Sequence, residues 1–222
     1  MIMDVAKMTT EEIASLASRR LDRFGLIADV FSKESPENVV KDVVRQASRV
    51  CWEGHGSPEG KLALGLRSLS CGDMAAFATQ TRTEYARLFL GPRAPVAPLH
   101  ESAYVSGACR MFTEETMAVR SFYERFGWVM KARNREPEDS IGTEFEFLRN
   151  LSVRCMEFSF RPGGEEETRE LAEAQSEFLR IHVMRWAHEF ARRVVENDRS
   201  GYYAAWARFL AEVLREEESV CA

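Results

Sequence analysis

"GYYAAWARFLAEVLREE", Gly201 to Glu217, carries Tyr202, Trp206, Phe209 and Val213 at steps of four, three and four. That spacing sets four large apolar side chains on one face of an α-helix. The same period recurs outward through the chain. "TTEEIASLASRRLDRFGLIADVF" places Ile13, Leu16, Leu21, Phe24 and Ile27 on one face behind threonines suited to capping. Ser35 and Pro36 suit the start of a second helix, with Val39, Val43, Ala47 and Val50 as its buried stripe. Further helices are expected over Glu59 to Leu69, Asp73 to Leu90, Thr113 to Phe126, Ile141 to Phe158 and Glu166 to Glu196, and alternating strand patterns are missing. The reading is an all-α protein, a single globular bundle of about seven to nine helices occupying residues 1–222 as one domain.

Composition narrows the function. Thirty Lys and Arg against thirty-five Asp and Glu leave a net charge of -5, which provides no positive field for a nucleic-acid backbone. Cys51, Cys71, Cys109, Cys155 and Cys221 are odd in number and form no CxxC, as expected of reduced thiols. The N-terminal stretch lacks the basic-then-apolar pattern of a secretory signal, and no apolar run reaches the roughly 18 residues of a membrane span. A cytoplasmic location is therefore expected, with no membrane insertion.

Catalytic patterns are missing as well. There is no GxxxxGK[ST], no GxGxxG after a strand, no HExxH and no Glu-x-x-His pair. His182 and His188 stand six apart, about 240° around a helix, and cannot share one metal. His182 falls on a stripe with Phe178 and Trp186, where a satisfied core histidine is expected; His55 and His100 lie in loops. Glu144 with Glu146, and Glu165 to Glu167, read as solvated or first-turn charges. No cofactor, metal or catalytic residue is assigned, and an enzyme with an unrecognised helical site is the reading from another class.

The segment "EYARLFLGPRAPVAPLHESAY", Glu84 to Tyr104, departs from the helical period. Pro92, Pro95 and Pro98 cannot continue a helix and each removes a backbone donor, so the strip is expected to be extended. It reads either as a stiff crossover whose "ESAY" caps the next element, or as a contact surface. A second proline-bearing acidic loop, "REPEDS", precedes an apolar helix. If the two loops border one groove, they suit a peptide that carries arginines beside an apolar stretch.

Three stretches carry a family resemblance. "EYARLFLGP" followed by "APLHESAY" is similar to the signature of the TorD/DmsD family, cytoplasmic chaperones that assist maturation of molybdenum-containing oxidoreductases exported by the twin-arginine route. "EPEDSIGTEFEFL" resembles the family's second motif with its helix, and "FLRIHVMRWAHEF" with "YYAAWARFL" resembles its C-terminal helix pair. The resemblance runs from Glu84 to Leu210 and implies an all-helical chaperone that is not an enzyme. It would bind the twin-arginine leader of an apo-molybdoenzyme catalytic subunit, or its body, and delay export until the cofactor is inserted.

Carried over by position, the resemblance implies peptide contacts at Leu88, Phe89, Pro98, Glu101, Ser102, Tyr104, Glu136, Pro137, Asp139 and Ser140. Glu101 and Asp139 would pair with the arginines, and Leu88 and Phe89 would take the apolar part of the leader. Ser140 stands where the family pattern has histidine, so any role of an imidazole there is lost. An alternative within the family is an assembly factor that holds the body of a nitrate-reductase-like enzyme without reading a leader. The loops near Gly163 and Gly164 are compatible with a homodimer formed by exchange.

Overall fold

The computed structural model describes residues 5–49, 56–69, 72–91, 94–107, 112–130 and 135–221. Among them are ten α-helices and no strand; an isolated antiparallel bridge joins His100 and Ser140. The all-α reading holds. Cys51, His55, Cys71, Pro92 and Cys109, together with Val50 of the expected second stripe, lie outside the described residues.

By its contacts the chain divides into two compact units, each assembled from separated stretches. The first comprises residues 1–32, 100–187 and 214–222. Its long helices α1 (Thr10–Ser32) and α7 (Ile141–Ser159) lie along each other, with Phe24 edge-on to Phe145 at 5.3 Å. Gly142 permits this approach, since a Cβ there would stand 2.7 Å from Ser32 Cα and 2.9 Å from Ser32 N. The helix α6 (Glu114–Arg125) adds Phe122 and Tyr123, which pack with Phe147 and with Phe178 of α8 (Glu165–Ile181) at 4.5 to 6.0 Å. Burying each such ring contributes about 2 kcal/mol. In the same unit Arg20 is fully buried against Glu217 at 2.7 Å and also donates to Gln175, so its charge is paired and bonded rather than bare.

The second unit comprises residues 33–99 and 188–213. It holds α2 (Glu37–Arg49), α3 (Pro58–Arg67), α4 (Met74–Tyr85), most of α9 (Ala187–Asn197) and the first turns of α10 (Tyr202–Cys221). The buried stripe of α2 is Val40, Val44 and Ala47, while Val39 is exposed. The doubled valines make both registers equally apolar, and packing chooses the second. Ser57 and Asp73 cap α3 and α4 by accepting backbone N–H groups of their first turns. After Tyr85 the helix widens into a π-helical turn over Ala86–Leu90, which ends at Gly91 with φ +47°.

Two elements depart from the sequence reading. The segment expected as one helix from Glu166 to Glu196 is broken: α8 ends at Ile181, a 3₁₀ turn spans Val183–Arg185, and α9 begins at Ala187. No glycine or proline marks the break; it turns the His182 ring toward Glu101 (Nδ1 to Oε2 3.0 Å), a tertiary contact that overrides local preference. The "ESAYV" segment is not the end of an extended strip but a one-turn helix, α5 (Glu101–Val105). Together the break and α5 account for a helix count above the expected range.

Candidate functional site

The end of the first motif, from His100 on, meets the second motif inside the first unit. The Glu101 N–H donates to the Asp139 carbonyl at 2.8 Å, and the Ser102 N–H donates to Asp139 Oδ2 at 3.0 Å. A five-residue helix has too few internal bonds to hold itself, and His100 at its N-cap makes no side-chain cap. Asp139 supplies that cap from 37 residues along the chain. Its other oxygen, Oδ1, accepts the Thr116 hydroxyl at 2.9 Å, which ties in the first turn of α6.

The loop before α7 is fastened at Glu138 and Asp139. Glu138 accepts Arg120 through Oε1 at 2.7 to 2.8 Å, and its carbonyl accepts the Tyr123 hydroxyl at 3.0 Å. Ser140 is the N-cap of α7: its Oγ accepts the Thr143 N–H at 3.3 Å and pairs with the Thr143 hydroxyl at 2.8 Å. The helix therefore starts at Ile141, with Pro137 in the loop before it. Glu136 is exposed and Pro137 half-buried, so they form the accessible edge of this motif.

Glu101 is fully buried. Its Oε2 faces His182 Nδ1 at 3.0 Å and its Oε1 accepts Arg185 Nη1 at 3.3 Å. Ser102 is also buried, and the half-buried Tyr104 ring lies 5.2 Å from that of Trp186. The core reading of His182 thus gains a polar partner, while Phe178 stands 4.8 Å from its other side.

Glu144 overturns its reading as a solvated carboxylate. It is fully buried, because it shares the α7 stripe of Ile141, Leu148 and Leu151, whereas Glu146 points outward. Neither Glu144 oxygen meets a donor at bonding geometry. Burial, then the charges of Glu101 and Asp139, hold its carboxyl well above the usual carboxylate range, against a weaker opposing pull from the Trp186 indole. Burial also pushes the Tyr123 phenol up, with the Glu144 and Asp139 charges adding to it. The His100 imidazole is pushed down by burial, with Asp139 and Glu136 opposing.

Leu88, Phe89 and Pro98 belong to the second unit. Leu88 and Phe89 are buried there; Phe89 packs against Tyr85, Tyr203 and Phe190 at 5.0 to 6.0 Å, and the Leu88 carbonyl accepts the Ala97 N–H at 2.9 Å. Pro98 is half-buried. The structure thus groups Glu101, Ser102, Tyr104, Glu136, Pro137, Asp139 and Ser140 in one unit and the other three in the second. Sequence reasoning missed Thr116, Glu144 and Arg185; only Glu144 left a sequence trace, its place on the apolar stripe of α7.

Among the described residues no group of His, Cys, Asp and Glu is arranged to hold a metal ion, and no helix is long and apolar enough to cross a membrane. Cys155 and Cys221 are free thiols, and burial pushes the Cys155 thiol up to about 11. The arrangement brings together buried carboxyls, an accessible acidic loop edge and an aromatic pair, groups that can interact with cations.

Comparison with known proteins agrees with the resemblance in the sequence. A family described as nitrate reductase delta subunit matches residues 62–192. The chaperone protein TorD of Aliivibrio salmonicida is 28% identical over 59% of this chain and 59% of its own length. A probable Tat proofreading chaperone DmsD of Haemophilus influenzae is 26% identical over 60% of this chain and 58% of its own. The chain thus matches about three fifths of the length of these two relatives; with TorD of Vibrio parahaemolyticus the match covers 90% of this chain and 93% of that protein at 22% identity. A crystal structure of a putative redox enzyme maturation protein from Archaeoglobus fulgidus superposes with a TM-score of 0.52 at 21% identity, covering 88% of this chain and 93% of that one, which supports the fold.

Proposed function

The chain belongs to the nitrate reductase delta subunit family, and from that premise we propose that it is a maturation chaperone that binds the twin-arginine leader, or the apo form, of a molybdenum-containing oxidoreductase. It would hold the client until the cofactor is in place and so delay export. The observation that carries this reading is the meeting of the two acidic motifs through Glu101, Ser102 and Asp139. A guanidinium fork is best received where carboxylates converge on a preset geometry. The exposed Glu136 would make the first contact, Tyr104 would offer a ring face, and Glu101 and Asp139 would set the field behind them. Leu88 and Phe89, buried in the second unit, would serve as the support of the strip that follows them.

The test is calorimetric titration of the purified chain with synthetic leaders of molybdoenzymes, each in a twin-arginine and a twin-lysine version. Micromolar binding that weakens on replacement by lysine is expected, because lysine lacks the planar fork. Equal affinity for both versions, or no heat with either, would refute the leader reading. The matched family description, nitrate reductase delta subunit, favours one second reading, an assembly factor for the client's body. Binding that survives deletion of the client's leader would support that alternative.

A further inference from the structure

The half-exposed Arg185 holds one oxygen of a fully buried carboxylate, that of Glu101. Glu101 has no exposed surface; Oε2 is held by the buried His182, and Oε1 is held by Arg185, whose side chain is 48% exposed. At 3.3 Å through one nitrogen, that contact is not the two-bond fork a guanidinium makes with a carboxylate when free to choose. The same nitrogen also reaches the Ile181 carbonyl at 3.5 Å.

A second observation marks the cluster as short of donors. Glu144 is fully buried, feels the charges of Glu101 and Asp139, and has neither oxygen at bonding geometry with a donor. Buried carboxyls without donors are costly, so a further cation entering here would be stabilised. Arg185 itself has somewhere to go. Glu115, in the first turn of α6, is held below its usual range first by the Thr113 hydroxyl and more weakly by the charge of Arg185. The Tyr104 ring beside Trp186 offers a face on which a planar guanidinium can lie.

We infer that Arg185 is a placeholder: its guanidinium holds Oε1 of Glu101 in the free protein and yields that position to an arginine of the bound peptide, moving toward Glu115. The inference rests on the leader-binding reading and adds its regulation. Binding is then an exchange of one guanidinium for another, and a lysine leader fails because an ammonium cannot replace the fork.

Arg185→Ala and the unaltered chain are compared by calorimetry with a twin-arginine leader and its twin-lysine version. Both proteins are also melted in low-millimolar methylguanidinium or methylammonium chloride. Removing the internal competitor should tighten the twin-arginine leader about fivefold, the size set by a half-exposed ion pair. Methylguanidinium should raise the melting point of the variant more than methylammonium does. Equal or weaker leader binding by the variant, with the unaltered chain still binding, overturns the exchange and leaves the leader reading standing. If neither protein binds a leader while methylguanidinium keeps its advantage, the guanidinium site is supported and the leader reading falls. No advantage for methylguanidinium overturns the site. Should Arg185→Ala fail to fold, Glu115→Gln is the second variant: loss of the receiving carboxylate should weaken the twin-arginine leader about twofold, and unchanged affinity removes the exchange route.

Discussion

Glu84 and Glu101 stand at the two ends of the helix-to-proline segment, both are buried, and they are held by different chemistry. Glu84 receives Arg87 Nε at 3.0 Å and Nη2 at 2.6 Å, and the Arg199 N–H at 3.2 Å. Those bonds, Arg87 first, hold its carboxyl below the usual range despite burial. Arginine does not lose its charge in a protein, so this fastener is permanent above acid pH. Glu101 shares its surroundings with Asp139, whose oxygens are also each partnered, and with Glu144, whose oxygens meet no donor at bonding geometry and whose carboxyl is pushed up rather than down. A buried carboxylate held by a two-bond arginine fork closes a joint. A carboxylate held by a single arginine bond beside a donorless neighbour keeps, in the proposed reading, a position that a cation from outside would fill.

The largest expected effect tests the first half of that contrast. Glu84→Ala leaves the Arg199 amide without its acceptor and Arg87 with only the Asn197 carbonyl, and should cost about 3 kcal/mol, read as a lower denaturant midpoint with an unchanged slope. A loss below a quarter of that would mean the joint is redundant. Next comes Asp139→Ala, which strips the cap of α5 and the Thr116 partner together; about 2 kcal/mol is expected. Here leader affinity should fall as well, whereas Glu84→Ala should leave the affinity of the folded protein nearly unchanged. If both variants lost affinity alike, the distinction between joint and receptor would fail.

Ser140→Ala removes the side-chain cap of α7 and should cost about 1 kcal/mol. Ser140→Asp should restore most of it, because a carboxylate caps a helix start as well as a hydroxyl does. The smallest effect is a change of slope with pH, and it separates the two regions by sign. Glu84 is depressed in the folded state, so its share of stability is present above the ordinary carboxylate range and is lost as pH falls through its lowered pKa. Glu144 is raised, so its share is present below that range and is lost as pH climbs toward its raised pKa. Glu144→Gln should therefore flatten the decline on the alkaline side and leave the acid limb as it was. Unfolding curves collected from pH 4 upward in steps would show a parallel shift instead if Glu144 were ionised throughout.

Much of the architecture was legible because helices write their period into the chain. The first helix, the Thr113 cap and the final helix need only neighbours within a few residues, and Tyr202, Trp206, Phe209 and Val213 all lie buried as the spacing required. What escaped the sequence depends on residues far apart. The α8 break is set by a contact of His182 with a residue 81 positions earlier, and α5 takes its cap from a loop 37 positions later. The doubled valines of α2 carry no preference for one register. At the candidate site, the residue types of the two motifs were visible, but whether a carboxylate faces outward or inward is decided by what packs over it, as Glu136 and Asp139 show by pointing opposite ways from one loop.

The distant cap of α5 also bears on the order in which the chain folds. One helical turn closed by a partner 37 residues away cannot nucleate on its own, since fixing the turn and closing the intervening loop both cost entropy before any bond forms. The turn is expected to form late, after α6 and the start of α7 have brought Asp139 into position. The Ser102 amide then becomes a native clock for that last step, and its hydrogen-exchange protection in a refolding time course dates the moment the two motifs join.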